Sequence, residues 1–159
     1  MEAYASMGLP DETLKYVKFI RESEKSSEED VLRAGLYSGK ANLIIGDTIQ
    51  AVKEIEAIVD STQTVTGAEA KYILAELAYK KQEYKKSLAT AFDLTNKMPS
   101  HDYWVAKTYI LIADNYVAMK DTFQAKSTLQ SVIENYDDTE DGILSLAKEK
   151  LDLLNKRAK

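Results

Sequence analysis

The feature that most limits the fold is a motif that returns at a nearly fixed interval. Gly46-Asp47-Thr48-Ile49-Gln50-Ala51 comes back as Lys120-Asp121-Thr122-Phe123-Gln124-Ala125, with Asp, Thr, Gln and Ala at the same offsets 74 residues on (125 − 51). A weaker copy, Gln82-Glu83-Tyr84-Lys85-Lys86-Ser87, stands between them at steps of 36 (87 − 51) and 38 (125 − 87). A fourth trace, Gly8-Leu9-Pro10-Asp11-Glu12-Thr13, precedes the first by 38 (51 − 13). A period in this range marks an array of supersecondary units. Each is too small to bury its own apolar face, so neighbours must stack.

Each period reads as two helices joined by the motif. By this register Met1 falls within a first helix and Pro10 to about Arg21 reads as the second helix of that partial unit, because Pro is tolerated in an opening turn and Leu14, Val17 and Ile20 make a helical stripe. Ser26-Ser27-Glu28-Glu29 is a capping-box signal for a helix from about Glu28 to Ile45. Gly46-Asp47 is the turn, and Ala51, Ile55 and Ile58 share one face of the helix that follows, Thr48 to Val59. Ser61–Gly67 reads as a polar link, so the next unit starts near Ala68. It turns at Gln82-Glu83 and stops near Met98, since the residue before Pro99 is biased away from helix. Ser100 or Asp102 caps the third unit, which turns at Lys120-Asp121 and closes at Tyr136. Asp137–Gly142 is an acidic link, favourable ahead of a helix N-terminus. The last helix, Ile143 to Lys156, carries Ile143, Ala147, Leu151 and Leu154 as a stripe over the open end of the array. Leu146 and Leu153 lie on a neighbouring face, either as the flank of a wide core stripe or as a contact for another chain.

Composition narrows the class. With 6 Gly and 2 Pro in 159 residues there are too few breakers for a turn-rich β fold. The net charge of −5 and the lack of a basic stripe argue against nucleic acid as a partner. The one basic cluster, Lys148, Lys150, Lys156, Arg157 and Lys159, suits the end of a terminal helix. No Cys is present, which excludes disulfides, thiol catalysis and zinc-thiolate sites. No apolar run approaches the ~18 residues of a membrane span, so this segment is not expected to insert directly. Met1–Gly8 lacks the basic start and apolar stretch of a signal peptide.

Close crossing of paired helices needs small residues where backbones meet. Gly39, Ala75 and Ala113 in the first helices and Ala51, Ser87 and Ala125 in the second are separated by twelve in every unit (51 − 39, 87 − 75, 125 − 113). With Leu74-Ala75…Ala78-Tyr79…Glu83-Tyr84…Ser87…Pro99 and Ile112-Ala113…Tyr116…Asp121…Ala125, this pattern resembles the tetratricopeptide repeat (TPR). The period of 36 to 38 is longer than that family's usual 34, the early Trp is absent, and the closing proline survives only as Pro99. The resemblance implies an all-α, TPR-like right-handed superhelix of stacked helix hairpins with a C-terminal capping helix. It divides the chain into a partial repeat at 1–22, repeats at 26–62, 67–98 and 101–136, and a cap at 139–159, as one domain. The segment from Ala113 to Tyr136 is also similar to the end of long bacterial TPR proteins of the cell envelope. That likeness implies a C-terminal piece of such a parent, on the periplasmic side; the sequence itself carries no address.

Chemistry is sparse. The single His, His101, sits beside Pro99-Ser100 in a link and reads as a solvent-facing linker residue. Asp137–Asp141 lacks the alternating ligands and mid-loop glycine of a calcium loop. No phosphate-binding glycine loop occurs. The expectation is therefore no catalytic residue, no metal and no cofactor.

What remains is the inner face that the resemblance implies, a concave groove lined by first helices and receiving a peptide or protein. Its candidate residues are Leu36, Lys40 and Leu43, then Tyr72, Glu76 and Tyr79, then Ile110, Asp114 and Val117. Tyr is a good anchor, large in area with few rotors and a polar tip. The other reading of the same stripe is burial against the adjacent repeat. Lys107 stands where some TPR proteins grip a carboxylate, but Glu76 and Asp114 would repel one. Trp104 either anchors a partner or staples its helix onto the preceding pair. The expected function is a non-catalytic interaction scaffold. The alternative is a spacer or self-association element, pairing as a homodimer through the incomplete N-terminal repeat.

Overall fold

The computed structural model describes residues 4–5, 7–59 and 61–156. Among these are eight helices and no strand. They are α1 (Pro10–Glu22), α2 (Glu28–Ile45), α3 (Thr48–Val59), α4 (Val65–Lys80), α5 (Tyr84–Lys97), α6 (Asp102–Ala118), α7 (Thr122–Asn135) and α8 (Ile143–Lys156). The all-helical reading and most helix limits agree with the sequence. Met1–Ala3, Ser6, Arg157 and Lys159, which entered the readings of the N-terminus and the basic cluster, lie outside the described residues.

The recurring motif is a turn of one geometry. Gly8, Gly46, Gln82 and Lys120 all adopt positive φ, at 68°, 86°, 62° and 64°. Their steps are 38, 36 and 38 (46 − 8, 82 − 46, 120 − 82). One left-handed residue ends a helix and frees the chain to reverse. Gly does this without strain, whereas Gln82 and Lys120 accept a steric cost. At two of the four turns the residue that follows caps the next helix: Asp47 accepts from the Gln50 amide at 3.0 Å, and Asp121 from the Gln124 amide at 3.0 Å, whereas Leu9 has no cap to offer. Glu83, one methylene longer, makes no such cap.

Three helix starts differ in detail. The capping box of α2 is set one residue later than the sequence signal, on Ser27 and Asp30. Helix α4 begins at Val65, three residues before Ala68. Its first turn is held from outside the helix, since the Thr66 hydroxyl donates to Glu29 at 2.6 Å and is 5% exposed. Gly67 is required there, because a Cβ would lie 2.3 Å from the Thr62 carbonyl oxygen. Helix α6 starts after His101, which is half-buried and occupies the N-cap without a side-chain cap hydrogen bond, so the cap position is neither Ser100 nor Asp102.

The chain divides into two compact units, Met1–Ala70 and Lys71–Lys159. In the first, Val17 of α1 meets Ala34 and Tyr37 of α2, and Gly39 crosses α3 beside Ala51 and Ile55. Arg21 reaches Glu54 at 2.6 Å, and Gln50 and Ser38 also donate to that carboxylate. Burial opposes its charge, but these three donors together hold Glu54 below the usual carboxylate range.

In the second unit, Ala75, Ala91 and Ile112 form one cluster. Ala113, Ala125, Leu129 and Ala147 belong to another, shared by α6, α7 and α8. All six residues expected at crossings are buried. The α8 stripe covers α7 as expected, with Ile143, Ala147 and Leu154 buried and Leu151 packed beside them. Leu146 and Leu153 lie outside it, 40% and 47% exposed. Lys71 is an inversion of the pattern: it is 3% exposed, and its ammonium pairs with Asp93 of α5. Hydrogen bonds from Lys71 and Lys97 hold the Asp93 carboxyl below its ordinary value.

Candidate functional site

The nine residues expected on the inner face separate by depth. Leu36 and Ile110 are core side chains, 2% and 4% exposed, and are corrections to the expected groove. Each lies three residues before its crossing residue, Gly39 or Ala113, and so shares the face that meets the partner helix. Ile110 packs in the cluster with Ala125 and Leu129. Lys40, Leu43, Tyr72, Glu76, Tyr79, Asp114 and Val117 are all half-buried.

The three charges at equivalent register positions are each paired. In the first unit Lys40 reaches Glu69 at 2.7 Å and lies 5.1 Å from the Tyr37 ring centroid. In the second, Glu76 holds Lys80 at 2.7 Å, and Asp114 holds Lys150 of α8 at 2.7 Å. The charged edge is thus partly internal.

Tyr72 belongs to an aromatic box rather than to an open anchor. The Lys107 ammonium lies 5.0 Å from the Tyr72 ring, 5.3 Å from Tyr103 and 5.0 Å from Trp104. It also donates to the Tyr103 hydroxyl at 3.2 Å. Trp104 sits 5.5 Å from Tyr72 and so fastens the start of α6 onto α4, the stapling role. Cation–π contacts of this kind contribute about 0.5–1 kcal/mol each where partly exposed. The Tyr72 hydroxyl donates to Glu76 at 3.4 Å; burial first, and then the Glu76 charge, push its pKa well above the ordinary phenol value. Tyr79 packs near Tyr84, ring centroids 5.8 Å apart, and burial raises its pKa as well.

A second concavity was not legible in the sequence. A cleft of about 710 Å³ lies between the N-terminal half of α6 and the C-terminal half of α7. Val105, Ala106 and Val132 give it an apolar floor, and Tyr103, Tyr109 and Tyr136 supply rings. Asp102, Asp137, Asp138 and Asp141 stand around it. The sequence marked these acids only as a link and helix start. The available signal was Tyr136 immediately before the acidic run, with Asp102-Tyr103 about a repeat earlier. The Tyr136 hydroxyl donates to Asp141, whose other oxygen caps the Ile143 amide at 2.9 Å. Among the described residues no group of three or more His, Asp or Glu could hold a metal ion.

Comparison with protein-family models, with curated proteins and with solved structures finds no match to this chain.

Proposed function

We propose that this chain is a non-catalytic interaction segment built from TPR-like helix hairpins, whose first helices present a binding face to a protein or peptide. The observation that carries this reading is a register in the first helices. At positions 40, 76 and 114 the side chains are charged and half-buried, and at 43, 79 and 117 they are apolar or aromatic and half-buried. A face that were wholly core would repeat buried aliphatics there, and a purely solvated one would repeat exposed charged or polar residues rather than half-buried ones. The reading holds for each unit by itself: Lys40 and Leu43 in the first, and Tyr79, Glu76, Asp114 and Val117 in the second.

A photo-crosslinking residue placed at Tyr79, and separately at exposed Leu153, tests it in a lysate of the source organism. A protein trapped from position 79 and not from 153 supports the face. Trapping from neither sinks the reading and leaves a spacer. A second reading, self-association, is favoured by Phe19 on α1, which is 68% exposed. Sedimentation of the chain and of Phe19→Ser decides it, because a dimer should be lost in the variant.

A further inference from the structure

We infer that the cleft between α6 and α7 is a docking site for a basic protein segment, taking an Arg or Lys side chain between its tyrosines and its carboxylates. This rests on the interaction-segment reading and gives it a partner chemistry. The cleft's volume of about 710 Å³ is that of a ligand site, and its floor is apolar. Its charge has one sign: four Asp line it, with no Lys or Arg among the lining residues. Capping and helix dipoles account for Asp102 in the first turn of α6 and for Asp141 ahead of α8. They do not account for Asp137 beside the cleft, and Asp138 turns only one oxygen to the Glu140 amide.

The four carboxylates stand exposed around the cleft. At the Tyr136 hydroxyl, burial, the Asp141 hydrogen bond and then the charges of Asp141, Asp138 and Asp102 all raise the pKa above the ordinary phenol value. Rings and carboxylates together suit a guanidinium, which stacks on an aromatic face while its fork meets a carboxylate. Tyr103, which lines the cleft, already holds an ammonium of this chain, since Lys107 donates to its hydroxyl.

The test uses the full chain and a fluorescein-labelled, C-terminally amidated hexa-arginine peptide, read by polarisation at low and at physiological salt. Asp102→Asn/Asp138→Asn removes two charges from the cleft. Glu149→Gln/Asp152→Asn removes two from the exposed surface of α8. Loss of two exposed charges that face the docked segment is expected to weaken binding about fivefold in the first pair at low salt and less at physiological salt, while the second pair stays within about twofold. Equal losses in both pairs, an unchanged cleft pair, or no binding by the wild-type chain would overturn the proposal.

Amide shifts in the wild-type chain give a readout that does not depend on any variant folding. They should centre on Tyr109, Ser131 and Tyr136. Shifts centred on Tyr79 and Val117 instead would remove the cleft and leave the interaction-segment reading standing. Absence of any crosslinked protein from position 79 sinks the inner-face reading without touching the peptide result.

Discussion

Two glycines of α2 allow the steric logic of the helix crossing to be separated from helix propensity. Gly35 and Gly39 lie four residues apart on one face, and both are buried. Replacing either by Ala gains about 1 kcal/mol of intrinsic helix preference. At Gly39 the new methyl carbon would sit 2.5 Å from Cγ1 and 2.9 Å from Cδ1 of Ile55, and 3.3 Å from the Ala51 carbonyl oxygen. Favourable carbon contacts lie at about 3.5–4.0 Å, so the overlap is roughly 1 Å. Ile55 is fully buried, and the near atom is a methylene in mid-chain, so it cannot swing aside. Overpacking of this kind costs about 1–3 kcal/mol, and Gly39→Ala should be destabilised by about 1 kcal/mol net. At Gly35 the closest atom is the terminal Cδ1 of Ile58 at 3.2 Å, which can rotate. There propensity wins, and Gly35→Ala should be stabilised by about 0.5 kcal/mol. Urea unfolding followed by helical circular dichroism measures both. Equal stability of the two variants, or a more stable Gly39→Ala, would refute the crossing geometry. Pairing Gly39→Ala with Ile55→Ala should recover about 1 kcal/mol relative to additivity, because the clash has lost its partner.

Gln82→Gly and Lys120→Gly should each raise the unfolding free energy by roughly 0.5–1 kcal/mol, read as a higher urea midpoint, because both residues hold positive φ at hairpin turns. Lys71→Met should be close to neutral, whereas Asp93→Ala should cost about 3 kcal/mol by leaving a buried ammonium without its carboxylate; thermal melts distinguish them. The folded-state pKa of Glu54 is depressed, so its contribution to stability is fully present above the unfolded value of 4.5 and is lost as pH falls through the lower folded one. Glu54→Gln should therefore lose less stability than wild type between neutral pH and that acid window, read as the pH dependence of the urea midpoint.

Much of the backbone was readable from the chain because its determinants are local. A helix closes bonds four residues apart, and a turn needs one left-handed residue and one cap. The 36 to 38 interval therefore marked the hairpin turns, and the limits of α2, α3 and α8 agree with the pattern. Small residues twelve apart marked the crossings for the same reason, since only Gly, Ala or Ser leaves room for a close approach. The start of α4 was not local: Val65 and Thr66 read as link, and Glu29, 37 residues away in sequence, holds the first turn.

Depth and pairing were decided by tertiary structure alone. Periodicity assigns Leu36, Ile110 and Tyr72 to one register, yet packing buries the first two, and Lys107 and Trp104 cover the third. The partners of Lys40 and Asp114 lie 29 and 36 residues away, so the neutralisation of that charged edge has no local trace. The acidic cleft likewise joins Asp102 to Asp137, Asp138 and Asp141 only because α6 and α7 fold back on one another. Helix propensity and turn chemistry act over a few residues and are written along the chain. Burial and electrostatic partnership depend on which helix lies opposite, which is determined once the hairpins have packed.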